Sequence, residues 1–319
     1  MPASPSGAAR LKQYTGFEQV GEGSYAVVYR ATHAATQRTV AVKKCLDAFD
    51  EDGDPRSNLA RELRLMKRLR HDDVVGLVDA FVVKHRLFIV LEYCPGGTLL
   101  SLLEHHKGGL PYAECAQLLA CLARALAHLH AHGVVHRDVK PENLLVVSAA
   151  APAGPGGHGP PPPLGPGSRR LKLCDFGEAV EHVDGAARTE YVSTRWYRAP
   201  ELLARERRYG PPVDVWAAGC VLYEMLTGGP LFDGASDAAQ QEKVKAVLSG
   251  GPEVLFAKLS GVGMRAHNKH AAVGAHQAAA TLLELCLKIA PSERLTAAAV
   301  LTNPFIAVHA GSAATTPRV

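Results

Sequence analysis

His136-Arg-Asp-Val-Lys-Pro-Glu-Asn143, followed downstream by Asp175-Phe-Gly177 and Ala199-Pro-Glu201, is the stretch on which the reading of this chain turns. In fixed order ahead of these runs come Gly21-Glu-Gly23-Ser-Tyr-Ala26-Val-Val28 and Val40-Ala-Val-Lys43-Lys44. Glycines between two β-type runs let a hairpin backbone approach phosphates, although a broken glycine pattern alone is as readily a bare turn. In the second run, strand alternation puts Ala41 and Lys43 on one face and Val42 and Lys44 on the other. A small alanine beside a planar ring, with an inward lysine two residues on, suits a nucleotide with its phosphates. Lys43 is then the inward residue and Lys44 faces solvent. A buried ammonium needs a counter-charge, and Glu62, on the cleft side of a predicted helix, supplies one.

The surrounding composition permits a large folded protein. The chain has 319 residues, 47% of them hydrophobic and 21% charged, which excludes wholesale disorder. A net charge of +4 is too mild to argue for nucleic acid or a membrane surface as partner. The seven cysteines include no Cys-x-x-Cys, so reduced thiols in an intracellular compartment are expected, cytoplasmic and/or nuclear. Residues 1–14 contain no apolar core of a signal-peptide kind. The most apolar later stretch, Val213 to Leu226, carries Asp214 and Glu224 and is too short to span a bilayer.

Phe17–Val20, Ala26–Tyr29 and Thr39–Lys43 read as strands, as do Val74–Val83 and Leu87–Leu91. Between them, Pro55-Arg-Ser-Asn58 starts a helix on which Leu59, Leu63, Met66 and Leu69 recur at helical spacing. After Tyr93-Cys-Pro-Gly-Gly the periodicity turns helical, over Thr98–Glu104, Tyr112–His132, Val213–Leu226, Ala238–Leu248 and Ala278–Ile289. A β-rich first third joined to a helical remainder predicts an α+β chain of two lobes with a ligand cleft between them. Thirteen glycines and prolines crowd Ser148 to Gly167, which excludes a helix interior or central strand. Residues 148–170 are expected to be a disordered insertion in the turn of a hairpin whose arms are Leu144–Val147 and Leu171–Cys174. The alternative is a Pro-rich peptide that docks into an aromatic groove.

Taken together, the motifs resemble a eukaryotic-type Ser/Thr protein kinase over nearly the whole chain, from about Tyr14 to Phe305. The resemblance implies the bilobal kinase fold: a flexible tail at 1–13, an N-lobe at 14–91 with one regulatory helix, a helical C-lobe at 92–305 and a flexible tail at 306–319. It implies ATP and Mg²⁺ as cofactors and Ser/Thr of proteins as substrate, with no nucleic acid or membrane. Asp138 would accept the substrate proton, Lys140 contact the transferred phosphate, and Asn143 and Asp175 hold the metal. Lys43, paired with Glu62, would hold the α- and β-phosphates. The nucleotide is expected against Val20, Gly21, Glu22, Gly23, Ser24, Tyr25, Ala26, Val27, Val28, Ala41 and Leu145. Its adenine would meet the hinge backbone at Glu92 and Cys94, behind a gatekeeper Leu91. Phosphoryl transfer asks for charge neutralisation and in-line positioning, which this kit supplies.

Thr189-Glu-Tyr191 and the following Val-Ser-Thr-Arg-Trp-Tyr-Arg198 are similar to the activation segment of the cyclin-dependent, mitogen-activated and cyclin-dependent-like kinases. Lys172-Leu-Cys-Asp-Phe-Gly177 and Tyr209-Gly-Pro-Pro-Val-Asp-Val-Trp-Ala-Ala-Gly-Cys220 point to the cyclin-dependent-like branch. The resemblance implies regulation by phosphate on Thr189 or Tyr191, clamped by Arg137 and Arg61. Arg198 implies a preference for proline after the acceptor, and Thr194 a bridge between Asp138 and Lys140. Asp214, and a Glu201–Arg294 pair, would be internal braces. An upstream kinase is among the partners the resemblance allows, and a cyclin-like activator stays open. Four departures stand out: Ala26 at the third glycine, Glu178 and Val180 after Asp-Phe-Gly, a short alanine-rich 233–278, and Asn303-Pro-Phe. A pseudokinase scaffold, binding nucleotide without catalysis, is the rival reading.

Overall fold

The computed structural model describes residues 6–23, 26–49, 56–148, 168–182, 194–262 and 273–310. Its first lobe is an antiparallel sheet of β1 (Tyr14–Glu22), β2 (Ala26–His33), β3 (Thr39–Cys45), β4 (Leu77–Val83) and β5 (Arg86–Glu92), in the order β1-β2-β3-β5-β4. Alternation along β5 explains how the sheet is covered. Phe88 and Val90 join Tyr14, Ala31, Val40, Val42 and Phe81 on one face, while Leu87 and Ile89 turn to the other. The helix anticipated after Pro55 runs over Ser57–Arg68 and buries Glu62, Leu65 and Met66.

Residues 7–11, expected within a flexible tail, instead form helix α1 (Gly7–Leu11), capped by the Ser6 hydroxyl. Leu11 packs on the Phe81 side of the sheet and Arg10 lies 5.4 Å over the Phe81 ring. Arg10 is also ion-paired to Asp79 of β4, with Nε donating to Oδ2 at 3.1 Å. The sheet face opposite the helix at Ser57–Arg68, hereafter α2, would otherwise be open, and this segment covers it. The strand expected from Val74 begins only at Leu77, because Val75 N–H donates to the Leu173 carbonyl at 2.9 Å and ties that segment to the second lobe.

The second lobe comprises α3 (Leu99–Glu104), α4 (Tyr112–Ala131), α5 (Pro200–Leu203), α6 (Pro212–Thr227), α7 (Asp237–Leu248), α8 (Gly251–Val262), α9 (Val273–Cys286), α10 (Ala297–Leu301) and α11 (Pro304–Ala310). Two small ladders join it, β6 (Val134–Val135) with β9 (Val180–Glu181) and β7 (Leu144–Ser148) with β8 (Arg169–Leu173). The latter is the anticipated hairpin. Its register pairs Ser148 with Arg169, so the strands reach into both ends of the expected insertion, while 149–167 lie outside the described residues. Likewise α11 runs past Phe305 with Ile306 buried, so the C-terminal boundary expected at 305 moves outward. Helix α8 was not anticipated.

Helix α6 is the centre of the lobe, buried on every side from Val213 to Thr227 and stopped by Gly228 at φ 80°. The Glu201–Arg294 pair is present, with Nη1 to Oε1 at 2.6 Å and Nη2 to Oε2 at 2.7 Å, and the guanidinium lies 5.1 Å over Trp216. Removing one partner strands the other charge in the interior. Arg294→Ala is therefore expected to lower the unfolding free energy by about 3–5 kcal/mol. Urea unfolding checks this, and a loss below about 1 kcal/mol would show that the pair is worth no more than a surface contact.

Candidate active site

Lys43 reaches from the middle of β3 toward α2, where its Nζ meets Glu62 Oε1 at 2.8 Å. The same ammonium stands 3.6 Å from Asp175 Oδ1 of the opposite lobe. Burial opposes the charge on Lys43, but Glu62 and Asp175 more than offset it and hold the ammonium above the ordinary lysine value. Lys43 and Asp175 stabilise each other in return. Burial pushes the Asp175 carboxyl up, yet Lys43 and the Gly177 amide outweigh it and bring it below the usual range. Alternation separates Lys43 from Lys44, and Lys43, the one expected inward beside a nucleotide, is the one that meets Glu62 and Asp175.

The loop at 136–143 is held by one buried carboxylate. Asp214, 1% exposed at the start of α6, accepts from His136 N at 2.9 Å, Arg137 N at 2.8 Å and His130 Nε2 at 2.8 Å. These bonds hold Arg137 at φ 70°, a left-handed conformation that costs a non-glycine residue about 1–3 kcal/mol. Asp175 of the same site is also left-handed, at φ 65°, with its Oδ1 accepting from Gly177 N at 3.3 Å. Downstream in the same loop, Asp138 Oδ2 accepts from Lys140 Nζ and from Asn143 Nδ2, at 2.9 and 2.8 Å. Asn143 Nδ2 also donates to the Asp138 carbonyl at 2.8 Å. With Nδ2 committed there, Oδ1 is the Asn143 atom that could take a metal. Asn143 and Asp175 fit a divalent ion that is completed by phosphate oxygens and water.

Over this base, β1 and β2 form the expected hairpin, with Gly21 opposite Val28 and Glu22 opposite Val27. Gly23 N–H donates to the Ala26 carbonyl at 2.9 Å. Ser24 and Tyr25 lie outside the described residues. Val20 is 48% exposed, and Val28 pairs directly with Lys43 across the ladder. Ala41 stands opposite Leu91, and Leu145 of β7 lies in the other lobe, bridged to Thr98. Cys94 is buried, which raises its thiol to about 12, and Cys174 is shifted up by burial as well. Both thiols are therefore inert at neutral pH.

This glycine hairpin, lysine–glutamate pair and aspartate loop belong to one family. The protein kinase domain matches residues 14–306. The chain belongs to the protein kinase family. Cyclin-dependent kinase-like 4 of Mus musculus is 39% identical over 230 residues, covering 72% of this chain and 61% of the relative. Cyclin-dependent kinase-like 2 of Homo sapiens is 38% identical over 231 residues, 72% of this chain and 43% of the relative. Cyclin-dependent kinase-like 1 of Caenorhabditis elegans is 37% identical over 238 residues, 75% and 62%. The kinase chain thus matches about two fifths to three fifths of the length of these relatives. Family membership implies the use of ATP with a divalent metal. No helix among the described residues is long and apolar enough to cross a membrane.

Several contacts of this kinase were not foreseen. Glu92, at the end of β5, accepts from Lys172 Nζ at 2.8 Å and from Gly76 N at 2.7 Å, which ties the hinge to β8 and to the approach to β4. Arg137 donates through Nη1 to the Tyr209 hydroxyl and through Nε to the Glu178 carbonyl, both at 2.6 Å. Arg198 Nη1 stands 3.5 Å from Asp237. Thr189 and Tyr191 lie outside the described residues.

Asp214→Ala would orphan two buried amides and is expected to cost about 2–4 kcal/mol in urea unfolding at neutral pH. Burial opposes the Asp214 charge, but His130 and His136 outweigh it and hold the carboxyl below its ordinary value. A depressed carboxylate stabilises above its unfolded pKa and loses that contribution as pH falls through the folded one. The gap between wild type and variant should therefore persist down to about pH 4 and narrow only below it. A gap that closes nearer neutrality would contradict this.

Proposed function

We propose that this chain transfers the γ-phosphate of ATP, bound with Mg²⁺, to serine or threonine of protein substrates. The observation that carries the reading is Lys43 held at once by Glu62 and Asp175, each from a different element, at 2.8 and 3.6 Å. A scaffold that only binds nucleotide has no need of the rest of the kit, in which Asp138 touches both Lys140 and Asn143.

The roles follow from these placements. When bound, ATP would supply the electrophilic phosphorus and Mg²⁺ would neutralise phosphate charge. Lys43 binds the α- and β-phosphates, while Asn143 Oδ1 and Asp175 hold the metal. Asp138 orients the substrate hydroxyl and accepts its proton late in the reaction, so its carboxyl needs no raised pKa. Lys140, already on Asp138, offers its ammonium to the transferred group. The strand ends at Val20–Gly23 and Ala26–Val28 would cover the phosphates, Ala41 and Leu145 would flank the adenine, and the Glu92–Cys94 backbone would meet its edge. Arg198 biases the acceptor site toward a following proline. Phosphate on Thr189 or Tyr191, from this chain or from an upstream kinase, raises activity through Arg137 and Arg61. The protein works in the cytoplasm and/or nucleus, and a cyclin-like activator is an added partner to test.

Radiolabelled ATP and a generic basic protein test the reading. Wild type is expected to label serine and threonine, with labelling lost by 10²-fold or more, roughly, in Asp138→Asn. Equal labelling by both proteins, or none by either despite nucleotide binding, would favour the pseudokinase scaffold.

A further inference from the structure

Arg61 of α2 and Arg137 of the catalytic loop converge on one turn. Arg61 Nη2 donates to the Gly177 carbonyl at 3.1 Å, and Arg137 Nε donates to the next carbonyl, Glu178, at 2.6 Å. Arg61 Nε is buried without a hydrogen-bond partner, and burial and the nearby Arg137 together disfavour its charge. Two guanidiniums so close, one of them only 2% exposed, call for an anion. The chain holds one in place. The Glu178 carboxylate stands 3.5 Å from Arg137 Nη2, three residues after Asp175; burial and the nearby Asp138 and Asp175 push its carboxyl above the ordinary value, while Arg137 and Arg61 pull the other way and favour its charge.

We propose that Glu178 is a positioning residue, which supplies from within the chain the negative charge that joins Arg61 and Arg137 and so aligns Asp138 with Asp175. Its backbone fixes Arg137 and its side chain neutralises it. Helix α2, the loop at 136–143 and the turn after Asp175 are then drawn together without any phosphate. Activity before modification follows, and phosphate on the activation segment adds to it. The inference rests on the phosphotransferase reading above, and it does not depend on which of Thr189 and Tyr191 is modified.

The test is steady-state kinetics and amide hydrogen exchange on the full chain carrying Thr189→Ala and Tyr191→Phe, with Glu178, Glu178→Gln or Glu178→Asp. Glu178 is 42% exposed at its side chain, so the isosteric glutamine should leave the fold intact. Glutamine is expected to lower kcat by about tenfold or more, the scale of one charge-assisted contact. KM for ATP should stay within about twofold, and aspartate should recover part of the rate. Exchange should quicken in glutamine at the amides of 136–138 and 177–179. Undiminished kcat in Glu178→Gln overturns the proposal. So does an acceptor-free chain with Glu178 that cannot turn over although wild type can, a result that would make phosphate alone the clamp. If wild type itself fails to turn over, the phosphotransferase reading falls and exchange decides: quickened amides uphold the tie through Glu178, unchanged ones remove it.

Discussion

A cation placed where water is scarce governs this architecture. Lys43 sits on a central strand with its ammonium turned inward, and such a charge is tolerable only beside anions. Glu62 and Asp175 provide them from a helix and from the opposite lobe. The same contact therefore sets the position of α2, the approach of the two lobes and the place where a metal-bound phosphate chain can be received. Since Asp175 is shared between Lys43 and the metal it would hold, the resting pair already resembles the arrangement that a nucleotide would complete.

Strain lies on the other side of the cleft. Arg137 and Asp175 both adopt left-handed backbone, at φ 70° and 65°. Neither is a glycine, so surrounding bonds must hold them there. Asp214 does so for the first through two amides, and Lys43 with the Gly177 amide does so for the second. The buried α6 presents Asp214, and the Glu201–Arg294 pair fastens α5 to the segment after α9. The helical lobe is thus a rigid mount for three polar side chains, Asp138, Asn143 and Asp175. The contacts of Glu92 with Lys172 and Gly76 add a polar tie between the lobes at the end of β5.

Much of this was legible in the sequence because it follows from local rules. Period-two alternation separated Lys43 from Lys44, the demands of a nucleotide favoured Lys43, and the need for a counter-charge pointed to Glu62 on the cleft side of α2. The hairpin of β7 and β8 was visible from its two apolar arms, though glycine and proline near the turn hid how far the strands extend. The misjudged parts were those settled by distant partners. Helix α1 is five residues long and amphipathic only weakly; Phe81 and Asp79 of β4, far along the chain, give it a place to dock. Val74 and Val75 have strand-like side chains, but the Val74 amide turns back to the His71 carbonyl and the Val75 amide goes to the Leu173 carbonyl. Glu178 was visible as a departure from the usual pattern, yet only the fold brings it to Arg137. Ser24, Tyr25, Thr189 and Tyr191 fall outside the described residues.

The account stands on Asp175 and Lys43 jointly receiving a metal-bound triphosphate. Calorimetry of a non-hydrolysable ATP analogue, with and without Mg²⁺, tests this in wild type and in Asp175→Asn. The account predicts that Mg²⁺ tightens binding to wild type and that this gain disappears in the variant. An equal Mg²⁺ effect in both proteins, or none in wild type, would contradict it.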